Sequence, residues 1–457
     1  MPRSKERPRQ HRKRTHLVLF PCPFQGHITP MLQLATILHS KGFSITIVHT
    51  QFNSPNPSNY PNFNFEPISD GLSVDQAQKE NVMALVTLLN VNCHGPFSDL
   101  MAQMLSEEDP RDPIACIVSD AVMHFTQSVA DHFKIPRIIL RTSSALSFIT
   151  FDAFPLLREK GYLPIQDPQS ETPVSELPPL RIKDLPNIST DSSETLYQVV
   201  AHTNNVTRNS SGIIFNSFEH IEEAALVKIR QDFPMPLFLI GPLHKYSSGS
   251  SSSLLPHDHS CMVWLDKQAP GSVIYVSFGS LACMEKKELV EIAWGIANSG
   301  QPFLWVVRSG LVRGSASAEM PDGFEEETRG KGLVVKWAPQ KEVLAHPSVG
   351  GFWTHNGWNS TVESICEGVP MLCWPCFGDQ KVNARLVSHV LKVGVQLENG
   401  LEREKIGWAI RRLMVEKEGE EMRNNARKLK DKADLCLKKG GSSYESIDRL
   451  VNCILSL

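Results

Sequence analysis

His27 and Asp120 each follow a short apolar segment that predicts a buried strand, Thr15–Phe20 and Ile114–Val118. In sheets of parallel strands, ligands bind at the carboxyl ends of the strands. There an aspartate can accept the N–H of one imidazole nitrogen, which fixes the tautomer and leaves the other nitrogen free to take a proton. The pair could thus form an oriented general base. Taken alone, His27 would be interpreted as a helix-cap or core residue and Asp120 as a helix N-cap.

The stretch Trp337–Gln380 carries polar residues at the junction of a predicted strand and a predicted helix. His355 ends the strand, and Asn359 and Ser360 begin the helix. Unpaired backbone N–H groups and the helix dipole favour phosphate oxygens at such a helix start, and Gly357 lets the backbone approach a ligand closely. Capping is the ordinary role of Asn or Ser there, but the combination predicts a diphosphate site.

Further residues of the same stretch suit a sugar nucleotide. Glu363 lies one turn after Asn359 on the same helix face, where its carboxylate could accept two hydrogen bonds from ribose hydroxyls. Trp337 offers a flat ring on which a base could stack. Each also has an ordinary role, Glu363 on a solvated face and Trp337 in the core. Asp379 and Gln380 could bond adjacent sugar hydroxyls.

Two more predicted strands end in turns that carry hydroxyl groups. Thr142 follows Pro136–Leu140, where it could contact a donor sugar or simply form a turn. Ser280 follows Ser272–Phe278 after one glycine, so backbone and hydroxyl groups point at a strand-end cleft, as a phosphate site requires.

The elements that carry these residues alternate between strands and helices, which predicts parallel sheets wrapped by helices. A Ser- and Gly-rich segment, 244–259, separates two such runs and predicts an interdomain linker. The first run has no G-x-G-x-x-G motif, which disfavours a dinucleotide-dependent oxidoreductase. Residues 1–14 are rich in Lys and Arg and lack an apolar segment, so we expect a disordered basic arm and not a secretory signal.

Length and composition limit the class of protein. The 457 residues suffice for two or three domains, and 41% hydrophobic and 21% charged residues fit a soluble globular protein. The net charge of −3 gives no general attraction to nucleic acid, and no apolar segment is long enough to span a membrane. Ten scattered cysteines suit a reducing compartment, so we expect a cytoplasmic protein. We expect Cys373 and Cys376 to be buried thiols, because their C-x-x-C lacks a second pair.

The stretch Trp337–Gln380 resembles the C-terminal signature of the plant family-one, UDP-dependent glycosyltransferases, and all 44 of its positions are present without a gap. The resemblance extends along the whole chain, through PFQGHITPMLQLA, GPLHK, VSFGS, FLWVVR and KGGSSYES. Within the family, the sequence is most similar to the subgroup that includes the stevia steviol-glycoside glucosyltransferases.

The resemblance implies an α/β fold of the GT-B type, with two Rossmann-like, doubly wound domains that face each other across a cleft. Residues 15–243 would form the acceptor-binding domain and residues 260–440 the UDP-sugar-binding domain. A helix in 441–457 would cross back to the first domain.

The resemblance also implies an inverting transfer of glucose from UDP-glucose to a hydroxyl or carboxyl group of a small lipophilic plant metabolite, such as a terpenoid or its glycoside, a flavonoid or another phenolic. The product would be a β-O-glucoside. His27 would be the general base and Asp120 its partner, and a terminal Gln380 goes with glucose in this family. The residues expected to bind the donor are Thr142, Ser280, Trp337, Ala338, Gln340, His355, Trp358, Asn359, Ser360, Glu363, Asp379 and Gln380. For the acceptor we expect contacts with His27, Phe24, Phe148 and Gly378, although the phenylalanines could equally belong to the core.

We expect no cofactor beyond the donor substrate, and no metal, because the sequence has no Asp-x-Asp pair to hold one. We also expect a monomer that binds neither nucleic acid nor, stably, a membrane. Two alternatives remain: a non-catalytic protein that binds a nucleotide sugar or another small molecule, and a Rossmann-type oxidoreductase.

Overall fold

A computed structural model describes residues 15–73, 76, 81–107, 112–186, 193–246, 253–315, 319–398 and 400–457. The expected basic arm (1–14) and the middle of the expected linker (247–252) lie outside the described residues. Within these ranges, none of the helices combines the length and the apolar character needed to cross a membrane.

The described part of the first half contains one parallel sheet. Its strands are His16–Phe20 (β1), Ser44–Thr50 (β2), Asn64–Ile68 (β3), Ile114–Asp120 (β4), Arg137–Arg141 (β5), Gly212–Phe215 (β6) and Leu237–Leu239 (β7). The strands lie in the order β3-β2-β1-β4-β5-β6-β7. Both faces of the sheet are covered, because Leu17 and Leu19 pack into one apolar cluster while Val18 and Phe20 pack into another. The direction of winding reverses between β1 and β4, which makes this the switch point of the sheet.

The second half repeats this architecture within the residues that the structure covers. Its strands are Val273–Ser277 (β8), Phe303–Val306 (β9), Gly332–Val335 (β10), Val349–Thr354 (β11), Met371–Cys373 (β12) and Gly394–Gln396 (β13). They are parallel and lie in the order β10-β9-β8-β11-β12-β13, so the second switch point falls between β8 and β11. Successive residues of β8 again enter two different clusters, Tyr275 one and Val276 the other.

The helices connect successive strands and pack on the two faces of each sheet. Those of the first half are Gln25–Ser40 (α1), Val82–Asn92 (α2), His94–Ser106 (α3), Thr126–Phe133 (α4), Ala145–Asp152 (α5), Phe154–Glu159 (α6), Ser193–Arg208 (α7) and Glu219–Asp232 (α8). Those that follow are Ser260–Leu265 (α9), Lys286–Ser299 (α10), Phe324–Glu327 (α11), Gln340–Ala345 (α12), Trp358–Glu367 (α13), Gln380–Arg385 (α14), Arg403–Met414 (α15), Lys417–Leu437 (α16) and Ser442–Ser456 (α17). A turn of π-helix, Leu386–Val390, continues α14.

The apolar periodicity of the sequence predicts helices over Ile28–Lys41 and Met123–Phe133. The two helices nearest the first switch point begin at other residues. The turn before His27 is shorter than expected, because α1 already begins at Gln25 after the extended residue Phe24. Conversely, the helix expected from Met123 begins only at Thr126. A carboxylate oxygen of Asp120 accepts the backbone N–H two residues on, and this turn delays the helix.

The last helix, α17, packs against the first half of the molecule. Its residues Ile447, Leu450 and Ile454 join the apolar cluster that also contains β1 residues. Ser443 donates a hydrogen bond of 2.6 Å to the carbonyl oxygen of Gly241, and Asp448 pairs with a lysine at the end of α1. The last helix is therefore part of the packing of the first half.

A network of charges also joins the two halves at the surface. Glu398, which follows β13, accepts hydrogen bonds from Arg181 at 2.9 Å and from Lys183 at 2.8 Å. Lys183 is only 7% exposed and also pairs with Glu171, and Arg181 pairs with Asp184. These contacts fix the segment 170–185 of the first half against the edge of the second sheet.

Candidate active site

Both switch points open into one cleft between the two sheets. At the first, Phe20 pairs with Ser119, so β1 and β4 end at the same level. At the second, Ser277 pairs with Thr354, so β8 and β11 also end together. A cavity of about 460 Å³ lies between them and is lined by residues that follow all four strands. This is where a doubly wound sheet places its ligand.

His27 is held by groups from two neighbouring strands. It lies in the first turn of α1, and its Nδ1 is 2.7 Å from Oδ2 of Asp120 and 3.0 Å from Oγ1 of Thr142. The other oxygen of Asp120 accepts the backbone N–H of Val122 at 3.1 Å, so both carboxylate oxygens are engaged. Asp120 is 1% exposed, whereas 27% of the His27 side chain is exposed. With Nδ1 occupied, Nε2 is the nitrogen that remains for a ligand's proton.

Charged neighbours from both halves set the pKa of His27. Burial lowers this pKa, but the charge of Asp120 and its hydrogen bond outweigh burial and raise the pKa above the usual value. Asp379, from the second half, raises it further, and Arg141 lowers it. Burial in turn raises the pKa of Asp379, and the charges of His27 and Arg141 lower it. The second half thus brings a carboxylate into the electrostatic range of the first half's imidazole.

His355 lies between two glycines at the second switch point. A Cβ atom on Gly279 would come within 2.6 Å of its ring, and one on Gly357 within 2.5 Å, so only glycine leaves room for the imidazole. Arg308 fixes the loop after β8 by donating to the carbonyl oxygens of Gly279, at 2.9 Å, and of Ala282. Burial lowers the pKa of His355 to about 4, and the charge of Arg308 acts in the same direction. The ring is therefore neutral at neutral pH.

A buried carboxylate lies at the end of the cavity formed by the second half. Glu363, in α13, is 9% exposed, and its Oε2 accepts a hydrogen bond of 2.7 Å from the amide of Gln340. The same amide is 2.9 Å from the hydroxyl of Ser360. Burial raises the pKa of Glu363, opposed by the bond from Gln340. The half-buried ring of Trp337 lines the same end, and its indole N–H donates to Ser253 at 2.9 Å.

Gln380 is held by the turn that precedes its helix. Its Oε1 accepts the backbone N–H groups of Cys376 at 2.8 Å and Phe377 at 3.0 Å. With the amide oxygen occupied, the amide N–H groups of Gln380 remain as donors toward the cavity that this residue lines. Asp379 beside it has an acceptor oxygen 3.3 Å from the amide of Asn383. Hydrogen-bond donors of Gln380 and acceptor oxygens of Asp379 therefore lie side by side at the end of the cavity nearest His27.

Several hydrogen bonds close the cleft floor between the halves. The indole N–H of Trp358 donates to the carbonyl oxygen of Asn216 at 2.9 Å, and Asn359 donates to that of Gly26 at 2.7 Å. On the other side, Asn383 accepts the hydroxyl of Ser144 at 2.7 Å. Gly26 precedes His27, so the helix start of α13 is tied directly to the turn that carries the imidazole.

The cavity contains nearly all of the residues that the sequence indicated. Its lining includes every predicted donor residue, together with His27, Asp120 and Phe24. Two predicted acceptor contacts do not line it, Phe148 and Gly378.

Phe148 is a core residue, which corrects the prediction of an acceptor contact. Its side chain is 0% exposed, and its ring lies 4.8 Å from that of Phe233 and 5.8 Å from that of Phe215. Phe151, three residues after Phe148 in α5, is only partly buried and lines the cavity instead. Gly378 has a φ of 62° and shapes the turn whose neighbours line the cavity.

Three polar residues of the cleft region were not predicted as site residues from the sequence. Arg141 lines the cavity, and Asn216 and Asn383 bond across the halves. Arg141 and Asn216 both stand at strand ends, a signal that could have found them. Asn383 lies inside a helix, and nothing in its sequence context marks it. Among the residues described, no three His, Cys, Asp or Glu side chains are grouped so that they could hold a metal ion.

Comparisons with known proteins agree that the chain is similar to UDP-dependent glycosyltransferases. The family model described as "UDP-glucoronosyl and UDP-glucosyl transferase" matches residues 38–430. The chain is 49% identical over 441 residues to UDP-glycosyltransferase 76B1 of Arabidopsis thaliana, covering 96% of this chain and 98% of that protein. It is 47% identical over 470 residues to UDP-glycosyltransferase 76G1 of Stevia rebaudiana, covering 98% of each.

Solved structures share the whole architecture. The structure of UDP-glucose: anthocyanidin 3-O-glucosyltransferase in complex with UDP superposes with a TM-score of 0.84 at 26% sequence identity, and the match covers 97% of this chain and 99% of that one. The similarity spans both halves of the molecule, including the cleft between them.

Proposed function

Because the chain belongs to the UDP-glucoronosyl and UDP-glucosyl transferase family, we propose that it moves glucose from UDP-glucose to a small lipophilic plant metabolite with inversion at the anomeric carbon. The chain is a UDP-glycosyltransferase with the GT-B fold, and its substrates are a UDP-sugar and a small acceptor. We propose glucose as the transferred sugar, inversion as the stereochemical outcome, and specific residues of the cleft as the groups that act. The observation that carries it is the contact of 2.7 Å between Nδ1 of His27 and Asp120, inside the cavity and facing the second half.

In the proposed reaction, Nε2 of His27 takes the proton of an acceptor hydroxyl. Asp120 stabilises the imidazolium that forms and keeps Nδ1 protonated. The acceptor oxygen forms a bond to the anomeric carbon as the bond from that carbon to the UDP oxygen breaks, and UDP leaves with the electron pair. Because attack and departure occur on opposite faces, an α-linked donor gives a β-glucoside. An acceptor carboxylate would react in the same way without giving up a proton.

The second half supplies the groups for the leaving nucleotide. We assign the diphosphate to His355, Ser280, Asn359, Ser360 and the N-terminus of α13, whose N–H groups suit phosphate oxygens. We assign the ribose hydroxyls to Glu363 and Gln340, and the base to the ring of Trp337 with Ala338 beside it. Asp379, Gln380, Trp358 and Thr142 are assigned to the sugar. The adjacent donor and acceptor groups of Asp379 and Gln380 support recognition of neighbouring sugar hydroxyls.

The first half supplies an apolar wall for the acceptor. Phe24, Val86, Val122, Phe151 and Val199 line the cavity on this side. They support an acceptor with an aromatic or aliphatic body that presents one hydroxyl group to His27. The acceptor panel described next is designed to identify the class of metabolite and the group that receives the sugar.

The test is a UDP-release assay with UDP-glucose and a panel of phenols, flavonoids and terpenoids, with products identified by mass spectrometry and proton NMR. We expect β-glucosides from the native chain. The variant His27→Ala should lose transfer while it retains UDP binding, because the ribose, base and diphosphate groups lie in the second half.

The matched control is His39→Ala, which removes a histidine from the other end of the same helix. This variant should keep full activity, because His39 contacts the carbonyl oxygen of Phe43 and the ring of Phe63 and does not line the cavity. Undiminished turnover in His27→Ala, or α-linked products from the native chain, would refute the proposed mechanism.

A further inference from the structure

The cleft contains a buried cation that forms no hydrogen bond or ion pair with the described residues. Arg141 is the last residue of β5, is 6% exposed and lines the cavity. Its guanidinium stacks on the ring of Phe148, with Cζ 4.3 Å from the ring centre. Within the part of the chain that the structure describes, this guanidinium forms no hydrogen bond and no ion pair. A guanidinium carries five N–H donors, and leaving them without acceptors in a buried position is costly.

The three carboxylates nearest Arg141 are engaged with other groups. Asp120 is bonded to His27 and to a backbone N–H. Asp379 accepts from an asparagine of its own helix, and Asp152 pairs with Arg208 at 3.0 Å. Burial lowers the pKa of Arg141 to about 10, and the charges of these three carboxylates oppose that effect. Arg141 is therefore a full cation at neutral pH.

The same strand shows how the fold treats a buried arginine with a structural role. Arg137, at the start of β5, is 1% exposed and does not line the cavity. It donates to the hydroxyl of Ser119 at 2.8 Å and to the amide oxygen of Gln127 at 3.2 Å. The fold thus provides acceptors for two of the three guanidinium nitrogens of Arg137, and only Nη2 has no hydrogen-bond partner among the described residues. Among the same residues, Arg141, which lines the cleft, has no such acceptor on any of its nitrogens.

We propose that Arg141 binds a carboxylate of the acceptor, so that the enzyme prefers acceptors in which an acidic group lies close to the hydroxyl that receives the sugar. The inference rests on the proposed function and names the acceptor class within it. A guanidinium fork matches a carboxylate with two parallel hydrogen bonds. Thr142, the next residue, contacts the imidazole of His27 at 3.0 Å. A carboxylate on Arg141 would therefore lie near the base, with the reacting hydroxyl a few bonds away.

The test compares acids with their neutral methyl esters. Hydroxybenzoates with the hydroxyl in the ortho, meta or para position, and the methyl ester of each, are assayed with saturating UDP-glucose. The measured quantity is the ratio of kcat/KM for the acid to that for its ester, in the native chain and in Arg141→Met. Dividing one ratio by the other removes the intrinsic reactivity of each phenol. Alkaline hydrolysis separates ether-linked glucosides from glucose esters.

For at least one isomer, Arg141→Met should lower the acid-to-ester ratio by about ten-fold or more, as expected for the loss of hydrogen bonds to a charged group. Arg141→Lys should retain part of the preference, since it keeps the charge but not the planar fork. The matched control is Arg412→Met, which removes a cation that also lies over an aromatic ring, at 5.0 Å from that of Trp408, but does not line the cavity. Its acid-to-ester ratio should equal that of the native chain.

Other outcomes would overturn the inference. An unchanged ratio in Arg141→Met refutes carboxylate binding. An equal loss for acid and ester, or a higher KM for UDP-glucose, would instead make Arg141 a donor-binding or structural residue.

If Arg141→Met fails to fold, inhibition of the native chain decides the question. Benzoate should compete with a neutral acceptor and methyl benzoate should not, and equal inhibition by the two would refute the inference. If no acceptor at all is glucosylated, the proposed function fails, whereas binding of benzoate, followed by ligand-observed NMR, still tests Arg141 separately.

Discussion

The proposed role of His27 as a base depends on its carboxylate partner. Asp120 raises the pKa of His27, and a base must be unprotonated to act, so transfer should decline as the pH falls through this raised pKa. In Asp120→Asn, both raising effects of the partner disappear and burial dominates. The acid limb of the kcat/KM profile should therefore move to lower pH, while the maximum falls.

The control for this prediction is Asp131→Asn, which removes a carboxylate of the same half that bonds to Gln127 and not to the imidazole. Its acid limb should coincide with that of the native chain. An acid limb of Asp120→Asn that stays in place, or moves to higher pH, would contradict the assigned pair.

Glu363 provides a second test at the scale of single residues. In Glu363→Ala, UDP-glucose binding should weaken by about 1–3 kcal/mol, because hydrogen bonds to a buried charged group are lost, which is roughly a 5- to 150-fold higher Kd. Isothermal titration measures this change. Glu367→Ala, one turn further along the same helix, removes a carboxylate that pairs with Lys245 and Lys430 and should leave Kd unchanged. Equal affinity in Glu363→Ala and the native chain would rule out the ribose contact.

Single residues were predictable where a strand ends. His27, Asp120, Ser280 and His355 could be identified from the sequence because a parallel sheet collects its strand ends at one edge. Phe148 could not be assigned, because an apolar helix of eight residues, α5, has no polar face to show which side meets the cleft. Asn383 could not be predicted either, because the hydroxyl that it accepts, that of Ser144, comes from the other half of the chain.

At the scale of elements, the loop after β8 determines where His355 can lie. Gly279 has a φ of 71°, and a Cβ there would meet the imidazole. Gly279→Ala should therefore displace His355 and raise the KM for UDP-glucose, while the fold and the acceptor KM change little.

Gly279→Ala combines the strain of a left-handed alanine with a contact on the His355 ring, and Gly314→Ala separates these two effects. Gly314 has nearly the same backbone, with a φ of 73°, but nothing lies within 4 Å of a Cβ at this position. It should share the strain of a left-handed residue, about 1 kcal/mol, but not the change in KM. If both variants bind the donor equally well, contact with the His355 ring is unimportant.

The type and order of the secondary-structure elements were predictable from the sequence, but the residues at which they begin and end were less so. The alternation of strands and helices follows from apolar periodicity, but α1 and α4 begin three residues away from the predicted positions Ile28 and Met123. In both cases a local feature decides the start: the extended residue Phe24 in one, and a side-chain turn at Asp120 in the other. Such features depend on backbone angles, which periodicity does not report.

At the scale of the whole molecule, Glu398 connects the two halves through Arg181 and Lys183. Glu398→Gln removes the charge and leaves a nearly buried lysine with one acidic partner. We expect an apparent loss of stability of about 1 kcal/mol, modest because Glu398 is partly solvated.

Thermal unfolding at low and high salt tests this expectation. The difference between native chain and variant should shrink as salt screens the pair. Glu402→Gln, whose glutamate pairs with an exposed lysine three residues on, serves as the control. A Glu398→Gln variant that melts like the native chain at low salt would show that the network does not hold the halves together.

The position of α17 also has a consequence for how the protein is made. Ribosomes synthesise Ile447, Leu450 and Ile454 after the rest of the second half, yet these side chains complete an apolar layer that begins with β1. The first half therefore cannot finish its own interior while it is the only part outside the ribosome. Produced separately, residues 15–243 would expose that unfinished layer to water and aggregate, and supplying the missing helix as a peptide would restore solubility.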